Sequence, residues 1–154
     1  MLDDDARQRL ERAYRDHGPD VWKAVFAYSG GRRDVADEAV AEAFAQAGRG
    51  LARIRDLRPW LFRAAFKIAA GELKRSPEPP RDVLRQGSDL GIVELLDLAR
   101  TLTRAQRQAF ALRDVLGFSG RDTAKLMGTS EVTVRVHLHA ARRRLRELVK
   151  EAQV

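Results

Sequence analysis

Apolar residues recur at spacings of three and four along almost the whole chain, and no segment alternates apolar with polar convincingly over five residues. That pattern suits helices and leaves no room for a sheet, so the sequence predicts an all-α fold. A first helical stretch carries Leu10 and Tyr14 and, past a break at Gly18-Pro19, Trp22, Val25 and Phe26, before Gly30-Gly31 ends it. A second opens at Asp34, an N-cap candidate, and sets Ala36, Val40, Ala43, Phe44 and Ala47 on one face until Gly48 and Gly50 close it. A third begins near Pro59, turns Leu61, Ala64, Ala65, Ile68 and Leu73 inward, and runs out at Ser76-Pro77.

Residues 76–91 follow, with Pro77, Pro79 and Pro80 at one end and Gly87 and Gly91 at the other. Prolines remove backbone donors and fix φ, so this stretch reads as a mobile linker in which Val83 and Leu84 are the few apolar residues. It predicts two small helical domains, 1–75 and 92–154, each with its own core. The charge divides in nearly the same place. The 154 residues carry a formal +7, and residues 98–154 hold all of it, with 12 Lys/Arg against 5 Asp/Glu. An excess confined to one end is the composition of a segment that meets a polyanion, because phosphate neutralisation supplies most non-specific nucleic-acid affinity.

The second half is punctuated by caps. Thr103-Arg104-Ala105-Gln106 fits the capping box, so a helix starts there and Gly117 stops it. Ser119 caps a short helix with Ala124 and Met127 inward, Gly128 turns the chain, and Thr129 or Ser130 caps a long helix striped by Val134, Leu138, Ala141, Leu145 and Leu148. Short helix, tight turn, longer helix is the form of a helix-turn-helix. Ala124 is small where the second helix crosses, Gly128 suits a left-handed turn, and Val134 plugs the gap between helices. Thr123 departs from the aliphatic residue usual in such motifs. The second helix would present Ser130, Glu131, Thr133, Arg135 and His137 to DNA, with Arg142 and Arg143 beyond them on phosphate. A plain helical hairpin carries the same Ala/Gly/Val pattern, so the spacing alone leaves both readings open.

Enzyme chemistry finds little support. The chain lacks Cys, which excludes disulfides, thiolate nucleophiles and Cys-ligated zinc. His137 and His139 lie two apart on a helix and diverge, so no metal site is expected. Ser119 and Ser130 read as caps, and no phosphate-cradling glycine loop occurs. The sequence therefore predicts neither catalysis, cofactor nor small-molecule substrate. Apolar runs fall far short of the ~20 residues that cross a bilayer, and the start reads Met-Leu-Asp-Asp-Asp, so the expected location is the cytoplasm, away from membranes.

The segment from Leu98 to Leu148, with Leu102-Thr103-Arg104-Ala105-Gln106-Arg107 and the closing Ala141-Arg142-Arg143-Arg144-Leu145, resembles region 4 of bacterial sigma factors of the extracytoplasmic-function (ECF) group. Residues about 11–75 resemble region 2 of the same group, through Ala36-Asp37-Glu38 with Phe44 and through Pro59-Trp60-Leu61-Phe62-Arg63. The resemblance implies that Asp37, Glu38, Glu42 and Phe44 dock on core RNA polymerase. It implies that Trp60, Arg63 and Lys67, with the loop Arg49 to Arg58, lie against the −10 element and capture the melted strand. The helix carrying Arg135 would then enter the major groove at the −35 element. The implied partners are core RNA polymerase, promoter DNA and an anti-sigma factor. Three positions depart from the family pattern: Ala41 where Gln is usual, Lys67 where Asn is common, and Gly71 where Asp is common. They leave open a sigma-like protein that occupies polymerase without directing initiation, beside a helix-turn-helix regulator that never meets polymerase.

Overall fold

The computed structural model describes residues 3–77 and 100–152, and among them six α-helices and no strand. Helix α1 spans Asp4–Tyr28, with the Asp3 carboxylate accepting from the Ala6 N–H at 2.7 Å. It runs unbroken through Gly18-Pro19, where the sequence pattern predicts a break. A proline inside a helix costs about 3 kcal/mol through one lost hydrogen bond and a ring clash. Burial of Val21, Ala24 and Val25 just beyond it offsets that cost, and the Tyr14 ring lies over Gly18. Gly30 and Gly31, at φ +74° and +91°, then reverse the chain.

Helix α2 spans Arg33–Arg49, and its N-cap is Arg32 rather than Asp34. Asp34 sits in the first turn and takes a two-pronged bond from the Arg32 guanidinium, at 3.1 and 2.6 Å. Arg32 is only 5% exposed and also donates to the Ser76 carbonyl, so the carboxylate chiefly serves a buried cation. This pins Ser76 to the α1–α2 turn. A single 3₁₀ turn, Leu51–Arg53, leads to α3, Leu57–Arg75, and Arg9 holds that loop through the Leu51 and Ile54 carbonyls. Asp56 caps α3, which places Pro59 inside the first turn, where a missing N–H costs nothing. Ala36, Ala39, Ala43 and Ala47 on α2, and Ala65 and Ala69 on α3, are all fully buried, so the three helices approach closely around Leu61, Phe62 and Phe66.

Helix α4, Arg104–Phe110, opens with both bonds of the capping box: Gln106 N–H to Thr103 Oγ1 at 3.2 Å, and Thr103 N–H to Gln106 Oε1 at 3.1 Å. It widens into a π-helical turn over Ala111–Val115, and Gly117 stops it at φ +76°. Helix α5, Gly120–Met127, is capped by Ser119, and α6, Glu131–Ala152, by Ser130, whose Oγ accepts from the Thr133 N–H at 3.1 Å. On α5 the buried residues are Thr123, Ala124 and Leu126, while Met127 is half-buried. The helix packs on α3 as well as α6, so its apolar stripe is wider than one partner requires.

The same contact joins the second half to the core of the first. Leu112, Phe118 and Leu126 join the buried cluster of α1–α3, and the Phe118 ring meets Phe62 edge-on at 5.1 Å. Of the expected linker, Ser76 and Pro77 are described; Pro79, Pro80, Val83, Leu84 and the rest of 78–91 lie outside the described residues, as does Leu98.

Candidate nucleic-acid and polymerase interface

Gly128 takes the left-handed conformation, φ +69° and ψ 36°, so the chain reverses between α5 and α6 in three residues. Ala124 and Val134 are buried at the crossing, as the spacing predicts. Only then do the outward residues acquire positions. Ser130, Glu131 and Arg135 are exposed at the start of α6, with Thr133 and His137 half-buried beside them and the Ser130 and Thr133 hydroxyls 2.9 Å apart. Val132 and Val136 stand exposed in the same two turns, at 59% and 61%. Sequence reasoning passed over them because they lie off the apolar stripe. Apolar side chains on a groove-facing helix are suited to thymine methyl groups.

The arginines farther along α6 are engaged. Arg142 makes a fork-to-fork pair with Asp114, at 2.8 and 2.5 Å, and the hydrogen bond from that carboxylate raises its pKa. The expected free phosphate ligand is thus a tie between α6 and the end of α4. Arg143 and Arg144 both reach Glu147, at 3.4 and 3.6 Å, and Arg143 stays mostly exposed.

In the first half, Asp37 and Glu38 are exposed, and Glu42 is half-buried one turn beyond Glu38. Asp37 accepts from the Trp22 indole N–H at 2.7 Å, and Trp22 in turn stacks on Phe26, so an aromatic pair outside the sequence-derived set orients this acid. Glu42 accepts from Gln46 and Arg49, each at 3.1 Å; the Gln46 bond first and the Arg49 bond second hold its carboxyl below the usual range. Phe44 corrects its expected role. It is 8% exposed and lies against Tyr14 at 5.0 Å, so it supports the acidic face from beneath and does not stand on it. On α3, Arg63 and Lys67 are exposed and Trp60 is half-buried, at spacings of three and four along one face. Arg58, in the first turn of α3, points its guanidinium over Phe118. Among the described residues no cluster of His, Asp and Glu is assembled to hold a metal ion, and no helix is long and apolar enough to cross a membrane.

A helix-turn-helix with an exposed, basic second helix, packed on a three-helix bundle with an acidic face, has the geometry of a helix that can enter a DNA groove. Residues 92–145 match the family described as Sigma-70, region 4. Its fold is that of CnrH, solved in complex with the cytosolic domain of CnrY: TM-score 0.76, 23% identity, 94% of this chain and 90% of that one. It is also that of the sigma factor RpoE of Bartonella quintana, solved with the anti-sigma factor NepR: TM-score 0.72, 22% identity, 95% and 97% of the two chains. No curated protein sequence matches the chain.

Proposed function

We propose that the chain is an ECF-type sigma factor that binds core RNA polymerase and directs promoter-specific initiation, working in the cytoplasm and performing no chemistry of its own. The observation that carries this reading is the combination: a region 4 segment fused to a region 2-like bundle, in the fold shared with CnrH and RpoE over more than nine-tenths of this chain. Residues 1–75 form the polymerase-docking and −10 domain, 76–91 the linker, and 92–154 the −35 domain. Asp37, Glu38 and Glu42 meet basic groups on polymerase. Trp60, Arg63 and Lys67 hold the melted strand, the first by stacking and the others by charge. Ser130, Glu131, Thr133, Arg135 and His137 read the major groove, and Arg143 steadies the duplex through phosphate. An anti-sigma factor is the third partner, supported by the two structures of this fold, each solved with a second protein bound.

Run-off transcription on genomic fragments with core polymerase tests the reading. Wild-type chain should yield discrete transcripts, and Glu42→Arg should lose core binding by tenfold or more, as like charges meet in a partly desolvated interface. Duplex DNA binding should be untouched. Binding to core without any transcript would refute the proposal.

A further inference from the structure

From the end of α2 to the start of α3 the chain turns one residue in three inward. Leu51, Ile54 and Leu57 are each less than a tenth exposed, while Ala52, Arg53, Arg55 and Asp56 stand outward. Apolar anchors hold the loop down, but they do not fix its backbone. The 3₁₀ turn contributes two bonds of its own, Arg53 N–H to the Gly50 carbonyl at 3.0 Å and Ile54 N–H to the Leu51 carbonyl at 3.1 Å. Bonds of this kind have poor geometry, and Gly48 and Gly50 just before them add little restraint.

The missing restraint comes from α1. Arg9, half-buried, donates from Nη1 to the Leu51 carbonyl at 3.2 Å and from Nη2 to the Ile54 carbonyl at 2.8 Å, across 42 and 45 residues of chain. The two carbonyls bracket the turn, so one rigid, planar fork sets the distance between its ends. The charge on the donor strengthens both bonds. Arg9 is poorly placed to hold nucleic acid itself. The cleft of about 610 Å³ beside it is lined by Arg49 and Arg53 but also by Asp3 and Asp5, whose carboxylates repel phosphate, and both terminal nitrogens of Arg9 already donate to carbonyls.

We infer that Arg9 is a positioning residue for the loop between α2 and α3: it fixes where Arg53 and Arg55 are presented, and through them the selectivity of strand capture, without touching the strand. A loop already held in its binding conformation loses less conformational freedom when the strand arrives. That the loop meets a melted strand rests on the function proposed above; that Arg9 fixes the loop does not.

Two measurements on the full-length chain test this. By NMR amide exchange, Arg9→Ala should speed exchange at Arg53 and Ile54 by about tenfold or more, the equivalent of one charge-assisted hydrogen bond, and leave Ala43 and Ala47 in α2 unchanged. Assembled with core polymerase, the wild-type chain should enrich particular sequences from a randomised single-stranded 20-mer. Selectivity is then the ratio of affinities for an enriched sequence and for the unselected pool. Arg9→Ala should lower that ratio by about tenfold, since misplacement of positioning groups by about 1 Å can cost up to about a hundredfold. Arg9→Lys, which keeps the charge and loses the fork, should recover less than half of the loss on a logarithmic scale. In an Arg53→Ala/Arg55→Ala background, Arg9→Ala should lower the ratio by less than a further twofold or so, because the groups it positions are gone. Should Arg9→Ala lose helix content by circular dichroism, Arg9→Lys decides, with exchange and selectivity moving in the same directions. Unchanged exchange overturns the positioning role, and so does faster exchange with an unchanged ratio. Full rescue by Lys, or a loss undiminished in the double-alanine background, would make Arg9 a strand contact and overturn it as well. A wild-type chain that assembles with polymerase yet enriches no sequence would refute the proposed function, and the loop's part in strand capture with it, whatever the exchange result.

Discussion

Thr123 is fully buried on α5, and its Oγ1 has no hydrogen-bond partner. The sequence pattern calls for an aliphatic residue there, and the structure explains the demand: the side chain is wholly enclosed on a helix that packs on both α3 and α6. A hydroxyl moved from water to such a place without a partner costs about 1–3 kcal/mol by the measure of protein variants. Valine has nearly the same shape and no hydroxyl. Thr123→Val should therefore stabilise the chain by about 1–2 kcal/mol, the low end reflecting imperfect fit of the new methyl. For a chain of this size that is a rise of roughly 2–4 °C in melting temperature per kcal/mol. Urea unfolding followed by circular dichroism should show a higher midpoint at unchanged slope. Thr123→Ala, which removes the hydroxyl and the methyl together, should fall below Val by the lost contact. A loss of stability in Thr123→Val would refute the reasoning, because it would mean the hydroxyl is bonded in solution, most simply back to the Ser119 carbonyl one turn earlier.

The Asp34 carboxyl is held below its ordinary range, chiefly by the hydrogen bond from Arg32, so it adds stability that is fully present above its unfolded pKa of about 4 and lost as pH falls through the folded value. Urea midpoints measured from about pH 6 down to pH 3 should fall more steeply for wild type than for Asp34→Asn; parallel curves would show that the pair contributes nothing, and half-exposure of Asp34 keeps the expected difference small. Asp114→Ala should free Arg142 from its two-pronged pair at a cost to stability of no more than about 1 kcal/mol. If the released guanidinium then reaches phosphate, duplex affinity rises and the log–log salt slope steepens by about one; an unchanged slope would confine Arg142 to tying α4 and α6 together.

What the sequence determined by itself are the features whose partners lie within a few residues. The capping box at Thr103 and Gln106, the caps at Ser119 and Ser130, the left-handed Gly128 and the crossing of Ala124 with Val134 were legible because each is settled within one or two helical turns. So were the all-α class and the outward set at the start of α6. The misread features depend on groups far away in the chain. Helix α1 continues through Pro19 because α2 and α3 bury the residues beyond it. Arg32 displaces Asp34 from the cap because Ser76, 44 residues away, holds it down. Phe44 turns under Tyr14, and Arg142 finds Asp114 across 28 residues. The placement of Phe118 belongs with these, since neither half alone signals that Phe62 and Arg58 will receive its ring. Periodicity shows which residues are apolar and which way they face on their own helix; which surface then covers them is decided by long-range packing, where the free energy of burial is gained.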